Sequence, residues 1–412
     1  MRKALSLFFP AGSVWSKVAG LTTILFFTLL SDAILSDWIP VYMQTVLGSA
    51  FLMGLVMSFS SMVGLAADFV FPQILKGATV RKLMLLAILS SVVFSLMSLW
   101  STYMPFVFVF LVAMAVWGFY YEFLGFASQQ FVAESAGVHE RTAVWGVMGV
   151  FRSLAYFLGP ILGGILMVRG DKVVVIVAGA IAIFSYLMLL TLRVKSRPVS
   201  VEVGEINFAA EASHWRVLFV HVWPMLLASL VLGLVDATFW TTGTVLTEIL
   251  SKASFLGGLF LPMYVLPSLF VGFIIARLGI YKGKKKWAEI FMLFSGAVLM
   301  LLFYQSSVIY QLAIVFLSSV MLSLSYPLIE AVYSDIVARM GRERKHLLGL
   351  SHSMVSIAYI IGPILSGLIT NAVGERMTFV VMGAIMVIAS LFLLVITPKK
   401  LKLPQKEMAT WG

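Results

Sequence analysis

The stretch AYFLGPILGGIL, residues 155–166, occurs a second time in this sequence as AYIIGPILSGLI, residues 358–369. Gly159 and Gly362 hold equivalent places in the two copies, so the repeat spacing is 203 residues, close to half of the 412-residue chain. A repeat of this length indicates a duplicated half-protein, because solenoid units recur every 20–50 residues or so.

Glycine and proline need a structural reason inside an apolar helix. Glycine lets neighbouring helix backbones approach closely, whereas proline frees a carbonyl and bends the helix. Two interpretations follow: close helix packing in both halves, or bends that shape how the halves move. The motif residues concerned are Gly159, Pro160 and Gly163 in the first copy and Gly362, Pro363 and Gly367 in the second.

The composition is that of a membrane protein. The chain is 61% hydrophobic and only 11% charged, whereas soluble domains carry about 25% charged residues. It has no cysteine, which excludes disulfides and thiolate metal sites. The formal net charge of +11 comes from short basic clusters between apolar runs. That pattern orients helices in a bilayer and does not indicate nucleic-acid binding.

Twelve apolar runs reach the length of about 20 residues that a spanning helix needs. The sequence therefore predicts an all-α membrane protein with twelve transmembrane helices in two six-helix halves. The predicted spans are 17–43, 48–75, 82–101, 104–132, 143–168, 173–193, 217–246, 253–279, 287–305, 308–337, 347–370 and 377–397.

Lysine and arginine are concentrated in every second loop, and such loops are cytoplasmic. Both termini are therefore predicted inside the cell, with the protein in the cytoplasmic membrane. The longest polar stretch lies at the centre of the chain and carries basic residues. The predicted organisation is an N-terminal half over 1–194, a cytoplasmic linker over 195–216 and a C-terminal half over 217–412.

The repeat extends well beyond the opening motif. Asp32-Ala33 in the first span corresponds to Asp236-Ala237 in the seventh, at a spacing of 204 residues. Two halves in the same orientation follow, related by an axis along the membrane normal. Such symmetry is typical of secondary transporters, whose substrate site lies between the halves near the midplane.

With these features the chain resembles the major facilitator superfamily over essentially its whole length. The family pattern Gly-x-x-x-Asp-Arg-x-Gly, followed by basic residues, is expected after spans two and eight. The first half retains Gly64 and Asp68, and the second retains Gly272, Arg277 and Gly279. Each half departs from the pattern differently. The Gly-Pro motif of span five also resembles that of the family's proton-coupled antiporters, especially drug exporters.

Charged residues inside the membrane are functional candidates, because each costs at least about 2.5–3.5 kcal/mol to insert at mid-bilayer. Counting from the nearest cytoplasmic charge at 1.5 Å per residue places Asp32 roughly 22 Å into the membrane. The repeat gives Asp236 the same depth. The full set of candidates for proton coupling or substrate binding is Asp32, Glu122, Arg152, Asp236 and Glu330.

Glu122 and Arg152 fall at similar depths on consecutive spans, so we expect an ion pair that either fixes helix register or takes part in gating. Asp32 has no basic residue at its level in its own span. A carboxylate without a partner in a dry interior binds a proton readily, as a proton carrier must. The alternative is a polar residue bonded to serine or threonine across the helix interface.

No nucleotide-binding GxxxxGK[ST] and no HExxH or Cys/His cluster is present in the sequence, so neither ATP hydrolysis nor a metal enzyme is indicated. We expect a monomeric secondary transporter without a cofactor, driven by a proton gradient, that exports a small organic compound. The alternatives are a nutrient or metabolite uniporter or symporter, and a non-transporting receptor or scaffold of the same fold.

Overall fold

A computed structural model describes residues 14–75, 78–136, 140–191, 208–271, 274–275, 283–304, 307–340 and 344–397. Regular structure in these ranges is helical throughout. Eleven stretches among them are long and apolar enough to cross a membrane. One of the eleven runs from Ser213 through Ala253 and contains two successive helices. The protein is therefore a multi-pass membrane protein.

Among its described residues, the first half of the chain has six helices. Their bounds are α1 (Val14–Leu47), α2 (Ala50–Ile74), α3 (Val80–Ser101), α4 (Val107–Ser135), α5 (Arg141–Met167) and α6 (Asp171–Thr191).

The described part of the second half is more broken. Its elements are α7 (Phe208–Phe239), α8 (Thr242–Ala253), a 3-10 helix (Phe255–Leu259), α9 (Phe260–Val265), a second 3-10 helix (Leu266–Leu269), α10 (Lys284–Met300), a third 3-10 helix (Leu301–Phe303), α11 (Val308–Met340), α12 (Arg344–Val373) and α13 (Glu375–Ile396).

Ten of the twelve predicted spans each coincide with one long helix, and the other two need correction. The span predicted over 217–246 is interrupted at Trp240 and Thr241, where α7 ends and α8 begins. The continuous helix predicted over 253–279 is wrong, because short α and 3-10 segments follow one another up to Leu269. Pro262 and Pro267, which lack the N–H that a regular helix uses, lie near the starts of two of these short segments.

The described residues pack as two compact units. The first contains the described residues within 1–48 and 59–202, and the second contains those within 49–58 and 203–412. Helix α2 is thus divided, with its first turns packed in the second unit. The domain boundaries predicted at 194/195 and 216/217 stay a prediction.

Helix packing follows the same pattern in each unit. In the first unit α1 packs against α5 and α6, and α3 packs against α4 and α6. In the second unit α7 packs against α12 and α13, and α10 packs against α11 and α13. The 203–204-residue offset relates each of these helices to its counterpart, so the sequence repeat is also a repeat of tertiary packing.

Hydroxyl groups join the helices inside each unit, whereas apolar side chains cover the outside. Ser31 Oγ donates to the Ala178 carbonyl at 2.8 Å in the first unit. Ser295 and Ser318 hydroxyls lie 2.7 Å apart in the second. On α13, by contrast, Ile388 and Val395 are 68% and 79% exposed. This arrangement of polar contacts inside and aliphatic side chains outside suits a lipid environment.

Candidate transport site

The Asp32 carboxylate lies in the interior of the first unit and is 1% exposed. Trp117 Nε1 donates to its Oδ1 at 2.7 Å. The hydroxyls of Tyr121 and Tyr156 donate to its Oδ2 at 3.0 and 2.6 Å. These donors come from α4 and α5, so the carboxylate on α1 links three helices.

The expectation that Asp32 lacks a partner is therefore wrong, and so is the alternative of a bond to serine or threonine alone. Its hydrogen-bond partners lie on α4 and α5, and residues on other helices cannot be found by inspecting the span of Asp32 alone. Trp117 and Tyr121 are visible in the sequence only as aromatic residues near a charge. Tyr156 carries a clearer signal, because tyrosine occupies the second place in both copies of the repeated motif.

Aromatic rings surround the donors and hold them in place. The Phe94 ring stacks on Trp117 with centroids 5.0 Å apart and planes 7° from parallel. The fully buried Tyr120 ring lies 5.1 Å from Tyr121. Close packing of this kind restricts rotamers. The indole and phenol groups are therefore held in the orientation in which they reach Asp32.

Arg152 stands one helical turn before Tyr156 on α5. Its side chain is exposed. The half-buried Glu122 lies against Gly64 of α2, since a Cβ at Gly64 would be 2.9 Å from Glu122 Oε1. Gly64 thereby makes room for this carboxylate. The ion pair between Glu122 and Arg152 stays a prediction.

The second unit contains a corresponding carboxylate, Asp236 on α7. The Tyr264 hydroxyl donates to its Oδ1, and the Tyr359 hydroxyl donates to its Oδ2. Phe239 stacks on Tyr264 with ring centroids 3.8 Å apart, and the Tyr326 hydroxyl donates to the Leu232 carbonyl at 3.0 Å. The structure thus surrounds both predicted mid-membrane aspartates with aromatic hydroxyl donors.

The repeated motif packs directly beside each carboxylate. A Cβ at Gly159 would lie 2.3 Å from Ala33 Cβ, and a Cβ at Gly362 would lie 2.6 Å from Ala237 Cβ. Both alanines immediately follow the aspartates. These contacts agree with the close-packing interpretation of the glycines. Pro160 and Pro363 lie within the continuous helices α5 and α12, and a gating role for the motif stays a prediction.

The later motif glycines also face close neighbours. A Cβ at Gly163 would be 2.8 Å from Oδ2 of Asp37, whose side chain is 1% exposed. A Cβ at Gly367 would be 2.4 Å from the Ala50 carbonyl oxygen, within the second unit. Gly164 differs, since its Cβ would meet nothing within 4 Å. The motif therefore combines glycines that are required by packing with one that is not.

Comparison with known proteins identifies the family. The sequence matches the Major Facilitator Superfamily over residues 1–160, 79–279 and 225–411, which together extend across almost the whole chain. The chain belongs to the Major Facilitator Superfamily. It is accordingly a membrane transporter and not an enzyme. A search of the curated proteins found no match.

Solved structures of other members of the superfamily have the same fold at low identity. A bacterial homolog of the human lysosomal transporter Spinster is 12% identical, with a TM-score of 0.72 over 94% of this chain and 97% of that one. A POT family transporter with a thioalcohol-conjugated peptide is also 12% identical, with a TM-score of 0.73 over 93% and 96%. The nucleoside transporter NupG is 12% identical, with a TM-score of 0.71 over 92% and 100%.

The remaining predicted site residues are Glu330 and those of the superfamily loop pattern. Glu330 on α11 is exposed, and its role stays a prediction. Gly272, Arg277 and Gly279 of the superfamily loop pattern lie outside the described residues. Asp68 belongs to α2, but its side chain is also outside them.

Two lysines at the start of α10 make ion pairs that the sequence alone does not reveal. Lys284 Nζ lies 2.7 Å from Asp335 of α11. Lys285 Nζ lies 2.7 Å from Glu289 and donates to the Thr397 hydroxyl at the end of α13. This corner of the second unit is therefore held by charge pairs between and within helices.

Proposed function

We propose that this protein is a proton-coupled secondary transporter that exports a small organic compound across the cytoplasmic membrane by alternating access. The observation that carries the proposal is the buried Asp32 carboxylate in a transmembrane helix, bonded by donors from two other helices. Twelve spans in two six-helix halves, with the substrate near the midplane, complete the proposed architecture.

Protonation of Asp32 would change the bonds that join its three helices. An ionised carboxylate only accepts hydrogen bonds, whereas a protonated one also donates. Uptake of a proton would remove the charge that faces Arg152 and would oblige one of the three donors to turn away or accept. The position of α1 relative to α4 and α5 would therefore depend on whether a proton is bound, which is what coupling requires.

The surroundings of Asp32 and Asp236 favour an amphiphilic or aromatic organic compound. Trp117, Tyr121 and Tyr264 present ring faces together with polar groups. Ligand sites commonly combine apolar and aromatic walls with a few placed polar groups. The direction of transport is taken from the resemblance of the Gly-Pro motif to antiporters.

Uptake of a metabolite is the second candidate. Its substrate class is taken from the solved transporters that share the fold, which include a nucleoside transporter and a transporter in complex with a peptide conjugate. Either process would use the same carboxylates. They differ in whether the proton and the substrate move in opposite directions or together.

The test is flux of a compound panel in proteoliposomes with and without an imposed pH gradient. Wild type should concentrate its substrate only when the gradient is present. Asp32→Asn should reach the membrane but lose concentrative transport. Glu248→Gln serves as the control, because Glu248 pairs with the largely exposed Lys252 and surface pairs contribute little. Unchanged, pH-dependent accumulation by Asp32→Asn would rule out Asp32 as the coupling residue, and the sign of the gradient separates export from uptake.

A further inference from the structure

The polar residue that both copies of the repeated motif share is a tyrosine. Tyr156 donates to Asp32, and Tyr359 donates to Asp236. The other donors differ between the two units: Trp117 and Tyr121 come from α4 in the first, whereas Tyr264 comes from α9 in the second. Among the described hydrogen bonds to the two carboxylates, the motif tyrosine is the donor that both units share.

The glycine of the motif explains how this tyrosine reaches its carboxylate. Gly159 follows Tyr156 by three residues and therefore lies on the same face of α5. It packs against Ala33, the residue next to Asp32, at a distance that leaves no room for a Cβ. A side chain at Gly159 would separate α5 from α1 beside the carboxylate. The Tyr156 hydroxyl, 2.6 Å from Asp32 Oδ2, would then be drawn away.

The second unit repeats this geometry. Gly362 follows Tyr359 by three residues and packs against Ala237, the residue next to Asp236. In each unit, therefore, one contact between a glycine and an alanine on two helices lies beside one tyrosine–carboxylate hydrogen bond. Packing alone would require the glycine and alanine but would leave the identity of the residue three positions earlier open.

We propose that Tyr156 and Tyr359 are positioning residues for the two carboxylates, and that the glycine–alanine contacts serve to hold each tyrosine in hydrogen-bond range. The proton step, which rests on the proposed function, is simple. Solvent supplies a proton to Asp32, and the Tyr156 hydroxyl turns from donor to acceptor while keeping its own proton. No other covalent bond changes.

The test moves one methyl group between two helices. Gly159→Ala and Gly362→Ala each add a methyl at the contact. In the first unit the new Cβ would also lie 2.9 Å from the backbone carbonyl carbon of Ala33, so the exchange is made in the second unit, where the next atom after Ala237 Cβ is 3.6 Å away. There Ala237→Gly removes the opposing methyl, and the double variant contains both changes. Gly164→Ala is the matched control on the same helix as Gly159, since its Cβ meets nothing within 4 Å. The readout is the infrared carboxyl band of Asp32 in the purified full-length protein, identified as the band that Asp32→Asn abolishes. Its frequency responds to the hydrogen bonds that the group accepts.

We expect Tyr156→Phe and Gly159→Ala to shift this band and Gly164→Ala to leave it unchanged. Tyr359→Phe and Gly362→Ala should likewise shift the band that Asp236→Asn abolishes, and the double variant Gly362→Ala with Ala237→Gly should return it towards the wild-type position. An Asp32 band that Tyr156→Phe does not move would overturn the proposal. So would a band that Gly159→Ala leaves in place, or an Asp236 band that the double variant fails to restore.

These variants separate an effect on folding from an effect on transport. If Gly362→Ala does not fold, a double variant with Ala237→Gly that folds with the wild-type band supports the proposal, and one that also fails to fold contradicts it. The band requires no transport assay. Shifted bands together with pH-independent flux would refute proton coupling and leave the positioning role intact.

Discussion

The Lys285 ammonium lies 2.7 Å from the Glu289 carboxylate, one turn along α10, and the two side chains are 9% and 4% exposed. On α8, Lys252 and Glu248 are also four residues apart and also 2.7 Å from each other, but their side chains are 73% and 29% exposed. The chain thus contains two ion pairs of the same spacing that differ chiefly in burial.

This contrast predicts different costs for removing one charge. Glu289→Gln should leave Lys285 buried without its counter-charge and lower the free energy of unfolding by about 3–5 kcal/mol, whereas Glu248→Gln should cost about 0–1 kcal/mol. The thermal unfolding midpoint of the purified protein in detergent is the measurement. Replacing both partners in Lys285→Met with Glu289→Leu should recover much of the loss. Equal effects at the two sites would mean that the buried pair is hydrated in the membrane.

The glycines of the repeated motif should differ in their tolerance of a side chain. Gly159→Leu and Gly362→Leu should impair transport and stability strongly, because a Cβ at either position meets an alanine at 2.3 or 2.6 Å. Gly164→Leu, with open space around it, should behave like wild type. Flux per folded molecule and the unfolding midpoint distinguish a gating role from packing alone. A loss of stability without a loss of specific flux would favour packing.

The sequence was sufficient for the class, for most of the spans and for the duplication, because these depend on local hydrophobicity and on identical residues at a fixed offset. Asp32 and Asp236 could be identified as candidate site residues from the sequence. Both are charges that are costly to insert in a membrane, and they occupy equivalent positions in the two copies of the repeat. Of their hydrogen-bond partners, only the motif tyrosines have a signal in the sequence, and the others could not be identified from it. Contacts such as Trp117 to Asp32 join different helices, and helix rotation, which decides them, is not encoded in a hydrophobic run.

The break after α8 shows a second limit. The run 253–279 is apolar enough to span a membrane, and its composition alone predicts one helix. Pro262 and Pro267 stand within it, but prolines also occur inside the continuous helices α5 and α12. Whether a proline bends or ends a helix depends on the neighbours that satisfy the freed carbonyl. The sequence does not specify those neighbours.

Glu122 and Arg152 provide a test of coupling between α4 and α5. If they form the predicted ion pair, Glu122→Gln and Arg152→Gln should each destabilise the protein, and the double variant should be milder than the sum. We expect a coupling energy of about 0.5–3 kcal/mol from the double-mutant cycle, measured by unfolding in detergent. Strictly additive losses would show that the two side chains do not interact.

Orientation in the membrane is predicted from the lysine and arginine distribution. A reporter fused after the C-terminus should be active only on the cytoplasmic side, as should one inserted in the 195–216 linker. A reporter in the short connection between α6 and the end of α5, near Gly170, should be active only outside. A reversed pattern at all three sites would invert the proposed direction of transport without affecting the site.

The indole of Trp117 should report the charge on Asp32, because its Nε1 donates to Oδ1 at 2.7 Å. Adding a proton to the carboxylate weakens it as an acceptor and changes the field at the ring. Part of the tryptophan fluorescence should therefore change with pH in the wild type, and this part should vanish in both Trp117→Phe and Asp32→Asn. Phenylalanine keeps a ring against Phe94, so the packing change is small.

Trp38 is the matched control for this experiment, since its Nε1 donates to Asp171 Oδ1, also at 2.7 Å. Trp38→Phe should leave the Asp32-dependent signal in place, and any pH response that it removes should instead be shared with Asp171→Asn. Persistence of the signal in Asp32→Asn would mean that another group titrates near Trp117. Its disappearance in both Asp32→Asn and Trp117→Phe would give a direct measure of proton binding at Asp32 that needs no knowledge of the substrate.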